Sequence, residues 1–398
     1  MAAPPRPPPA LMDELVEEIA LRIPPDDPAR LLRAALVCKR WYRVLSDPGF
    51  RRRFREFHRT PPMLGFIRNL GPHSTFVATP SFRPNRPARW NCPAVDARHG
   101  RVLLHVAAEG SGRSPLDNPF VVWDPITGDR RELPLLRSSI YPSSWNAAVL
   151  CASSAGVCDH LDCHRGPFLV VFVSSNGWRI VAYVFSSEAA AWSKHASVQL
   201  PVPGNRISLG PSALIGNVLY FMFFFGTSVL KYDLGAREIS QVQLPPECFL
   251  ARIVPMTTDD GRLGVAIVVD NRLYLWSRES CPDGDAGWVQ SRVIELEKLL
   301  PNEALTALHG GVDVDGIADG VAVIFLRTDK GVFTIDLKSC QVKKVYKDSW
   351  ISGNFPFLSF YTPGTRHWQQ PLQLRDEEQA PQMPDKLKIL NCRLLHQG

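Results

Sequence analysis

One strand–turn–strand phrase recurs through most of this chain and constrains its fold more than any other feature. At 121–134 it reads VVWDPITGDRRELP, an apolar run, a turn, a polar run and then Leu-Pro. Related phrases occupy 180–201, 229–245, 273–301 and 331–347, the last without the Leu-Pro pair. Short runs joined by turn residues predict β-hairpins. A β unit repeated at intervals of several tens of residues is typical of radial or stacked β architectures.

Further strand candidates lie between these phrases, at 101–106, 167–173, 214–225, 263–269 and 321–326. Units with several antiparallel strands and irregular insertions predict an all-β, propeller-like domain over 61–364, with six to eight blades. Residues 63–106 are expected to supply one more unit, and 357–361 to close the ring beside 63–67. Irregular β-sandwiches are the structural alternative.

Size and composition are those of a globular protein. The chain has 398 residues, 45% of them apolar and 21% charged, and is long enough for a small module and a large core. The longest apolar run, 218–225, falls well short of the roughly 20 residues of a membrane-spanning helix. Nine cysteines at irregular spacing indicate a reducing compartment. We therefore expect a soluble protein of the cytoplasm or nucleus, without a membrane partner.

The net charge of +6 is concentrated near the N-terminus. Residues 1–29 hold two arginines and six acidic residues, whereas 30–59 hold nine arginines, one lysine and two acidic residues. A nucleic-acid-binding protein would carry its basic residues along a groove or among aromatic residues. The β region shows no such pattern, so no nucleic-acid partner is expected.

The first sixty residues have a helical pattern instead. Leu11, Leu15, Ile19 and Ile23 recur every four residues, and with Met12 and Val16 they form one apolar stripe. Pro24-Pro25 ends this helix, and Asp26 or Asp27 can cap the next one, with Pro28 in its first turn. Asp47-Pro48 repeats that start signal before a stripe of phenylalanines at 50, 54 and 57. Three or four short helices are predicted here.

This helical segment resembles an F-box, the module that ties a substrate receptor to the Skp adaptor of a cullin ubiquitin ligase. The matching pieces fall in order, namely Leu11 with Glu14-Leu15 and Ile19, Arg22-Ile23-Pro24, Val37-Cys38-Lys39 with Trp41, Ser46-Asp47-Pro48, and Phe50. Met12 and Pro28 depart from the family's usual proline and apolar residue. The phrase VVWDPITG is similar to the β domains that follow the F-box in large plant families, grasses included.

The resemblance implies a division into four segments. These are a disordered proline-rich lead at 1–9, an F-box at 10–58, the β-propeller-like target-binding domain at 61–364, and a polar, flexible tail at 365–398. An apolar groove on the adaptor would take up a helical surface. The residues implied as Skp-adaptor contacts are Leu11, Met12, Leu15, Ile19, Val37, Cys38 and Trp41, with Trp41 also a candidate for the module's own core.

A separate cluster, CASSAGVCDHLDCH, could hold zinc. Cys151, Cys158, His160 and Cys163 offer soft sulfur and imidazole ligands, and His164 follows directly. Their spacing matches none of the usual zinc knuckles, so a plain loop between strands is the preferred interpretation. Gly310-Gly311 with Asp313, Asp315 and Asp319 could suggest calcium, but the pattern of a calcium loop is incomplete and turns are favoured.

No catalytic motif is present, since the sequence contains no G-x-S-x-G, P-loop or H-E-x-x-H. We expect no catalytic residues and no cofactor. The function predicted is a non-catalytic receptor subunit of a Skp–cullin–F-box ligase that recruits an unknown protein target for ubiquitination. The alternative is a β-propeller interaction scaffold outside ubiquitination, and an enzyme is disfavoured. Trp90, Trp145, Trp178 and Trp288 could anchor a target, although such residues more often pack between blades.

Overall fold

The computed structural model describes two compact units, a helical one that ends at Arg59 and a β one that runs from Thr60 to Phe360. The expected lead at 1–9 and the tail at 365–398 lie outside the described residues. The description covers residues 11–363 except 85–88, 107–114, 139, 154–157, 201–203, 205, 225–226, 249–251, 281–285, 306–310 and 348–352.

The helical unit packs around a small apolar core, and its α1 uses only Val16 of the predicted stripe for that core. The buried face of α1 consists of Val16 and Ala20, which lie with Leu31, Leu45 and Phe50 among the buried side chains. Leu11, Leu15 and Ile19 therefore remain at least partly accessible. The four helices are α1 Asp13–Leu21, α2 Pro28–Ala35, α3 Lys39–Ser46 and α4 Pro48–His58.

The start of α4 follows the sequence prediction, and the start of α2 follows it only in part. The Asp47 carboxylate accepts hydrogen bonds from the backbone N–H groups of Gly49 (2.7 Å) and Phe50 (3.4 Å), which caps α4. Asp27 precedes α2 but makes no side-chain cap. Its carboxylate pairs with Arg30 at 2.9 Å instead, because an i, i+3 arginine competes for the same oxygens.

The β unit is a ring of six antiparallel sheets with four strands each, so the sandwich alternative is wrong. The innermost strands of neighbouring blades contact one another around most of the ring. Blade 1 contains β1 Met63–Leu70, β2 His73–Ala78, β3 Arg89–Trp90 and, innermost, β24 Asn354–Leu358. Blade 2 contains β4 Ala94–Arg98, β5 Arg101–His105, β6 Phe120–Trp123 and β7 Arg130–Glu132, and blade 3 contains β8 Ser144–Cys151, β9 Phe168–Ser175, β10 Arg179–Ser186 and β11 Ala191–Gln199.

The other three blades keep the same order, with the first strand innermost. A short helix, α5 Asn302–Leu305, connects blade 5 to blade 6. Blade 4 contains β12 Ala213–Ile215, β13 Val218–Met222, β14 Ser228–Asp233 and β15 Glu238–Gln243. Blade 5 contains β16 Ile253–Thr257, β17 Leu263–Val269, β18 Arg272–Ser280 and β19 Ala286–Glu295, and blade 6 contains β20 Asp313–Ala318, β21 Val323–Thr328, β22 Gly331–Asp336 and β23 Val342–Tyr346.

The ring closes where the last strand of the chain joins the first blade, as the sequence predicted. β24 pairs antiparallel with β1, with Phe357 opposite Gly65. A Cβ at Gly65 would lie 2.5 Å from both the Phe76 ring and the Val77 carbonyl oxygen. Glycine is therefore required for this close approach.

The recurring phrase forms the third and fourth strands of blades 2 to 6. The leucines of the Leu-Pro pairs, Leu133, Leu200, Leu244 and Leu300, are all buried. Trp192 Nε1 donates to the Pro134 carbonyl (2.8 Å) and Trp288 Nε1 to the Gln243 carbonyl (2.7 Å), so each outer strand reaches across to the end of the preceding blade. The phrase thus builds a hairpin and a contact between blades.

An aspartate directs the hairpin turn in three of these phrases. The Asp124 carboxylate accepts from the N–H groups of Ile126 (2.8 Å) and Thr127 (3.2 Å). Asp233 and Asp336 make the same pair of bonds to residues two and three positions ahead, at 2.7–2.9 Å. Aspartate suits such turns because its short carboxylate reaches its own backbone two residues on.

The innermost strands were mostly missed by the sequence pattern. Asp313 and Asp315 belong to β20 rather than to a turn or a calcium loop. The single strand expected at 214–225 is wrong, because Gly216, at φ 58°, turns the chain between β12 and β13. No helix among the described residues is long and apolar enough to cross a membrane.

Ring closure predicts a large effect of Phe357→Ala. Phe357 is buried, with ring centroids of Phe76 and Phe82 at 5.5 and 6.4 Å. Truncating a buried phenylalanine costs about 3–5 kcal/mol, so urea unfolding followed by tryptophan fluorescence should show a clearly lower midpoint. The half-exposed Val293→Ala on β19 is the control and should change stability by no more than about 0.5 kcal/mol. Equal midpoints for both variants would contradict closure through β24.

Candidate functional site

The helical unit carries apolar side chains that its own core does not cover. Leu15 is 44% exposed and Val37 41% exposed. Met12 is also exposed, and Leu11 and Ile19 are half-buried. Four of these five residues lie just before or along α1, and Val37 lies in the turn before α3.

An ion pair holds these two segments together. Arg40 Nε donates to the Asp13 carboxylate at 2.7 Å, which joins the first turn of α3 to the first turn of α1. Val37 precedes α3 by two residues and is therefore close in the chain to this contact. We name Leu11, Met12, Leu15, Ile19 and Val37 the head surface.

Two of the predicted contact residues have other positions. Cys38 is only 4% exposed and lies just before α3, so little of its side chain is accessible to a partner in this structure. Trp41 is half-buried on the first turn of α3. This position is compatible with both roles expected for it, an adaptor contact and a part of the module's own core.

The β unit has a depression of about 270 Å³ at the ends of its innermost strands. We name it the axial mouth. Arg98 crosses part of it, because its Nη2 donates to the carbonyl (2.7 Å) and the hydroxyl oxygen (3.1 Å) of Ser212 ahead of β12. Charged and imidazole side chains at its lining are Asp96, Arg98, His99, Asp159, His160 and Asp319.

Two carboxyls at the axial mouth have raised pKa values. Burial raises the pKa of Asp96, against the opposing effects of Arg98 and of the hydrogen bond from the Val149 N–H at 2.9 Å. Desolvation by the surrounding protein raises the pKa of Asp319 to about 6, against its bonds from Thr257. The axial mouth therefore combines an arginine with carboxyls that hold their protons to higher pH than usual.

The structure gathers the cysteine cluster that the sequence left as a plain loop. One ligand atom from each of Cys151, Cys158, His160 and Cys163 lies within 4.8 Å of the others. Cys151 ends β8, and the other three lie on the segment that leads to β9. We name these four residues the Cys3His cluster.

His164, next to that cluster, has separate partners. Its Nδ1 lies 2.6 Å from the Asp124 carboxylate and its Nε2 3.1 Å from Asp162. Burial alone would lower the pKa of His164, but the bonds to these carboxylates outweigh it and raise the pKa to about 9. His164 thus fastens the loop to the hairpin turn of blade 2.

The end of the β unit opposite the axial mouth carries exposed apolar residues. Antiparallel strands place there the loops between second and third strands and the loops between blades. Trp178 lies in one such loop and is 61% exposed. We name the set the loop face, and it consists of Leu135, Tyr141, Trp178, Leu209 and Phe224, all of them exposed.

The other three tryptophans considered as anchors pack within the β unit. Trp145 stacks on Phe172, with ring centroids 5.7 Å apart. Trp90 lies 5.1 Å from Trp123, and Trp288 makes the inter-blade hydrogen bond described above. The loop face was not predicted as a set, because burial and loop position become visible only once the blades are assembled.

These features define an F-box protein with a six-bladed β-propeller. Residues 13–56 match the family model described as F-box-like. Residues 95–364, about two thirds of the chain, match the model described as "F-box protein AT5G49610-like, beta-propeller". The chain belongs to this plant F-box β-propeller family.

Two curated relatives from Arabidopsis thaliana are similar at low identity. F-box only protein 6 is 25% identical over 240 residues, which are 58% of this chain and 47% of that protein. This chain thus spans about half the length of that relative. F-box protein At5g49610 is 23% identical over 282 residues, which are 66% of this chain and 74% of the relative. Members of such families are typically non-catalytic adaptors.

Solved structures overlap only loosely. The match to a functionally unknown protein from Desulfotomaculum acetoxidans spans 74% of this chain and 99% of that protein. The TM-score is 0.40 at 10% identity, which supports no functional argument.

The raised pKa of Asp96 predicts that stability depends on pH. The folded state holds this proton more tightly than the unfolded chain does, so stability falls as pH rises from the ordinary aspartate value of about 3.9 to the folded pKa. Asp96→Asn keeps an acceptor for the Val149 N–H and does not titrate. As pH increases across this window, the unfolding midpoint of Asp96→Asn should rise relative to that of the unsubstituted protein.

Asp96→Ala is the matched control. It leaves the Val149 N–H buried without its acceptor, which costs about 1–3 kcal/mol. Since neither variant titrates at this position, Asp96→Ala should be less stable than Asp96→Asn by a similar margin at pH 5 and pH 8. Urea unfolding at a series of pH values measures both variants. An Asn variant whose difference from the unsubstituted protein is the same at every pH would contradict the raised pKa.

Proposed function

We propose that this F-box protein is the substrate-recognition subunit of a Skp–cullin–F-box ubiquitin ligase. The helical unit binds a Skp-family adaptor, the adaptor connects it to a cullin, and the propeller binds a protein target. A location in the cytoplasm or nucleus follows from this proposal. The single observation that carries it is the uncovered apolar head surface on a module of the F-box family.

The head surface has the chemistry of an adaptor-binding surface. Leu15 and Val37 expose branched apolar side chains, although Val16 and Ala20 already satisfy the core of the unit. A helix that presents an apolar row to solvent is suited to binding in a groove of a partner. Removing such apolar side chains from water is the favourable contribution that this surface can make to a complex.

The mechanism proposed is positional. One unit holds the adaptor and the other holds the target, so target lysines are kept near the charged conjugating enzyme at a high effective concentration. No residue of this chain is asked to make or break a bond, in keeping with the adaptor role typical of the family.

Adaptor binding is tested by Leu15→Asp and Val37→Asp. Each places a carboxylate on the surface that the adaptor would bury, and desolvating it should cost about 2 kcal/mol or more, which corresponds to roughly 30-fold weaker binding. Affinity for a purified Skp-family adaptor, measured by calorimetry with the full chain, gives the result. Phe57→Asp is the control, because Phe57 is 59% exposed on α4 of the same unit but outside the head surface.

Unchanged affinity in both head-surface variants would contradict this docking surface. A folded chain that binds no Skp-family adaptor at all would favour the alternative, an interaction scaffold outside ubiquitination. Circular dichroism of every variant separates loss of binding from loss of folding.

We further propose that the target binds to the loop face. Aromatic and arginine side chains dominate binding hot spots, and Arg137, Arg179 and Arg206 lie exposed in or next to these loops. The loop segments 134–143, 176–178, 200–212 and 223–227 contain no acidic residue. A target segment with apolar and acidic side chains would complement this surface.

Proximity labelling of cells with the full chain tests this assignment. Proteins that the unsubstituted chain labels, and that accumulate under proteasome inhibition, should lose at least most of their labelling when Trp178→Ala and Arg206→Glu are combined. Val293→Ala, on the outer strand β19, should leave labelling unchanged. Equal labelling by all three chains would place the target elsewhere.

A further inference from the structure

We propose that Cys151, Cys158, His160 and Cys163 bind one zinc ion, which fastens the segment between β8 and β9 to the end of the innermost strand of blade 3. All four residue types are zinc ligands, and three cysteines with one histidine are a common structural zinc set. The site would be structural, because four protein ligands leave no open position for a reactant.

The ligand atoms lie close to the spacing that zinc requires. With Zn–S bonds of about 2.3 Å and Zn–N bonds of about 2.0–2.1 Å, the edges of the coordination tetrahedron measure roughly 3.5–3.8 Å. Cys163 Sγ and His160 Nδ1 are 3.8 Å apart, and no pair of the four ligand atoms is farther apart than 4.8 Å. Side-chain adjustments of about 1 Å or less therefore suffice.

Backbone amides point at two of the sulfurs. The Ser153 N–H donates to Cys151 Sγ and the His160 N–H to Cys158 Sγ, both at 3.4 Å. Such bonds stabilise the thiolate form, which is the form that binds a metal. The loop thus provides the second layer of contacts that metal-binding cysteines commonly have.

Arg101 supplies the charge that this ligand set needs. Three thiolates, a neutral imidazole and Zn²⁺ carry one negative charge in total. Arg101 is buried, and its Nη2 donates to the carbonyls of Cys163 (2.6 Å) and Gly166 (2.7 Å). Its Nη1 has no hydrogen-bond partner among the described residues. A buried guanidinium is costly unless a negative charge lies near it, and the nearby Asp124 carboxylate is already bonded to His164.

His160 is oriented by a second histidine. Its ring stacks on that of His99, with centroids 4.2 Å apart and planes 11° from parallel. His99 Nδ1 in turn accepts from the Cys151 N–H at 3.1 Å.

A disulfide is the competing use of these cysteines. It would join two of the three sulfurs and leave the third thiol, the imidazole and the Arg101 charge without a role. Zinc accounts for all of them at once, and for the convergence of side chains from a strand end and a loop.

The zinc site would also shape the axial mouth. Asp159, His160 and Leu161 line that depression, so a metal bound at Cys158, His160 and Cys163 would hold one of its walls in place. Loss of the metal should loosen this wall while the other five blades keep their hydrogen bonds.

The test is metal analysis of the full chain, expressed in zinc-supplemented medium and purified without chelators. We expect about one zinc ion per chain when the purified protein is analysed by inductively coupled plasma mass spectrometry. Cobalt in place of zinc should give the intense visible absorption of a tetrahedral thiolate site. Cys158→Ser and His160→Ala should each reduce bound zinc at least tenfold. Cys340→Ser is the matched control, because Cys340 is also a free, half-buried cysteine but lies in blade 6, and it should keep its zinc.

Thermal unfolding with and without a chelator provides a second measurement. The chelator should lower the melting temperature of the unsubstituted chain and of Cys340→Ser, but not that of Cys158→Ser. The proposal is overturned if the folded, unsubstituted chain holds less than a tenth of an equivalent of zinc. It is equally overturned if mass analysis of the thiol-blocked protein shows a disulfide between two of the three cysteines.

Discussion

The pairing of β24 with β1 is the contact on which the propeller depends. An open array of sheets would leave β1 without its inner neighbour and expose a row of backbone N–H and C=O groups. This strand comes from the far end of the β unit, so the closure entropy of a loop of almost three hundred residues must be offset by many contacts that form together. Phe357, packed on Phe76 and Phe82, supplies apolar contacts at this junction.

Polar bonds between blades keep neighbouring blades in register. The Asn69 side chain exchanges two 2.8 Å hydrogen bonds with the backbone of Ala94 in the next blade. Asn146 donates to the Ser208 carbonyl at 2.9 Å, and Asp315 accepts from the Gly353 N–H at 3.1 Å. Apolar packing alone would tolerate sliding between blades, whereas each of these polar groups loses its partner if a blade shifts.

That arrangement explains what the sequence could and could not predict. The outer hairpins were found because the Asp-directed turn and the Leu-Pro pair are local signals. The inner strands were missed because Asp96, Asn146 and Asp315 are polar residues that each bond to a residue of a neighbouring blade, and the local sequence does not show that they are buried. The sequence did not predict the Cys3His cluster as a site for a similar reason. The spacing of its four residues along the chain does not reveal it, because Cys151 comes close to the other three ligands only where the folded strand β8 ends.

The two ends of the propeller differ in how freely they can change. Around the axial mouth, Arg98, Asp96 and Asp319 bond to residues of other blades, so a substitution there affects the ring itself. The side chain of Trp178 at the loop face is exposed and lies outside the buried core. An apolar side chain in such a loop contributes little to folding, and its substitution costs the ring little. The loop face can therefore vary without loss of the fold, and this separation of stability from surface chemistry is the physical reason for the proposal that the target binds at that end.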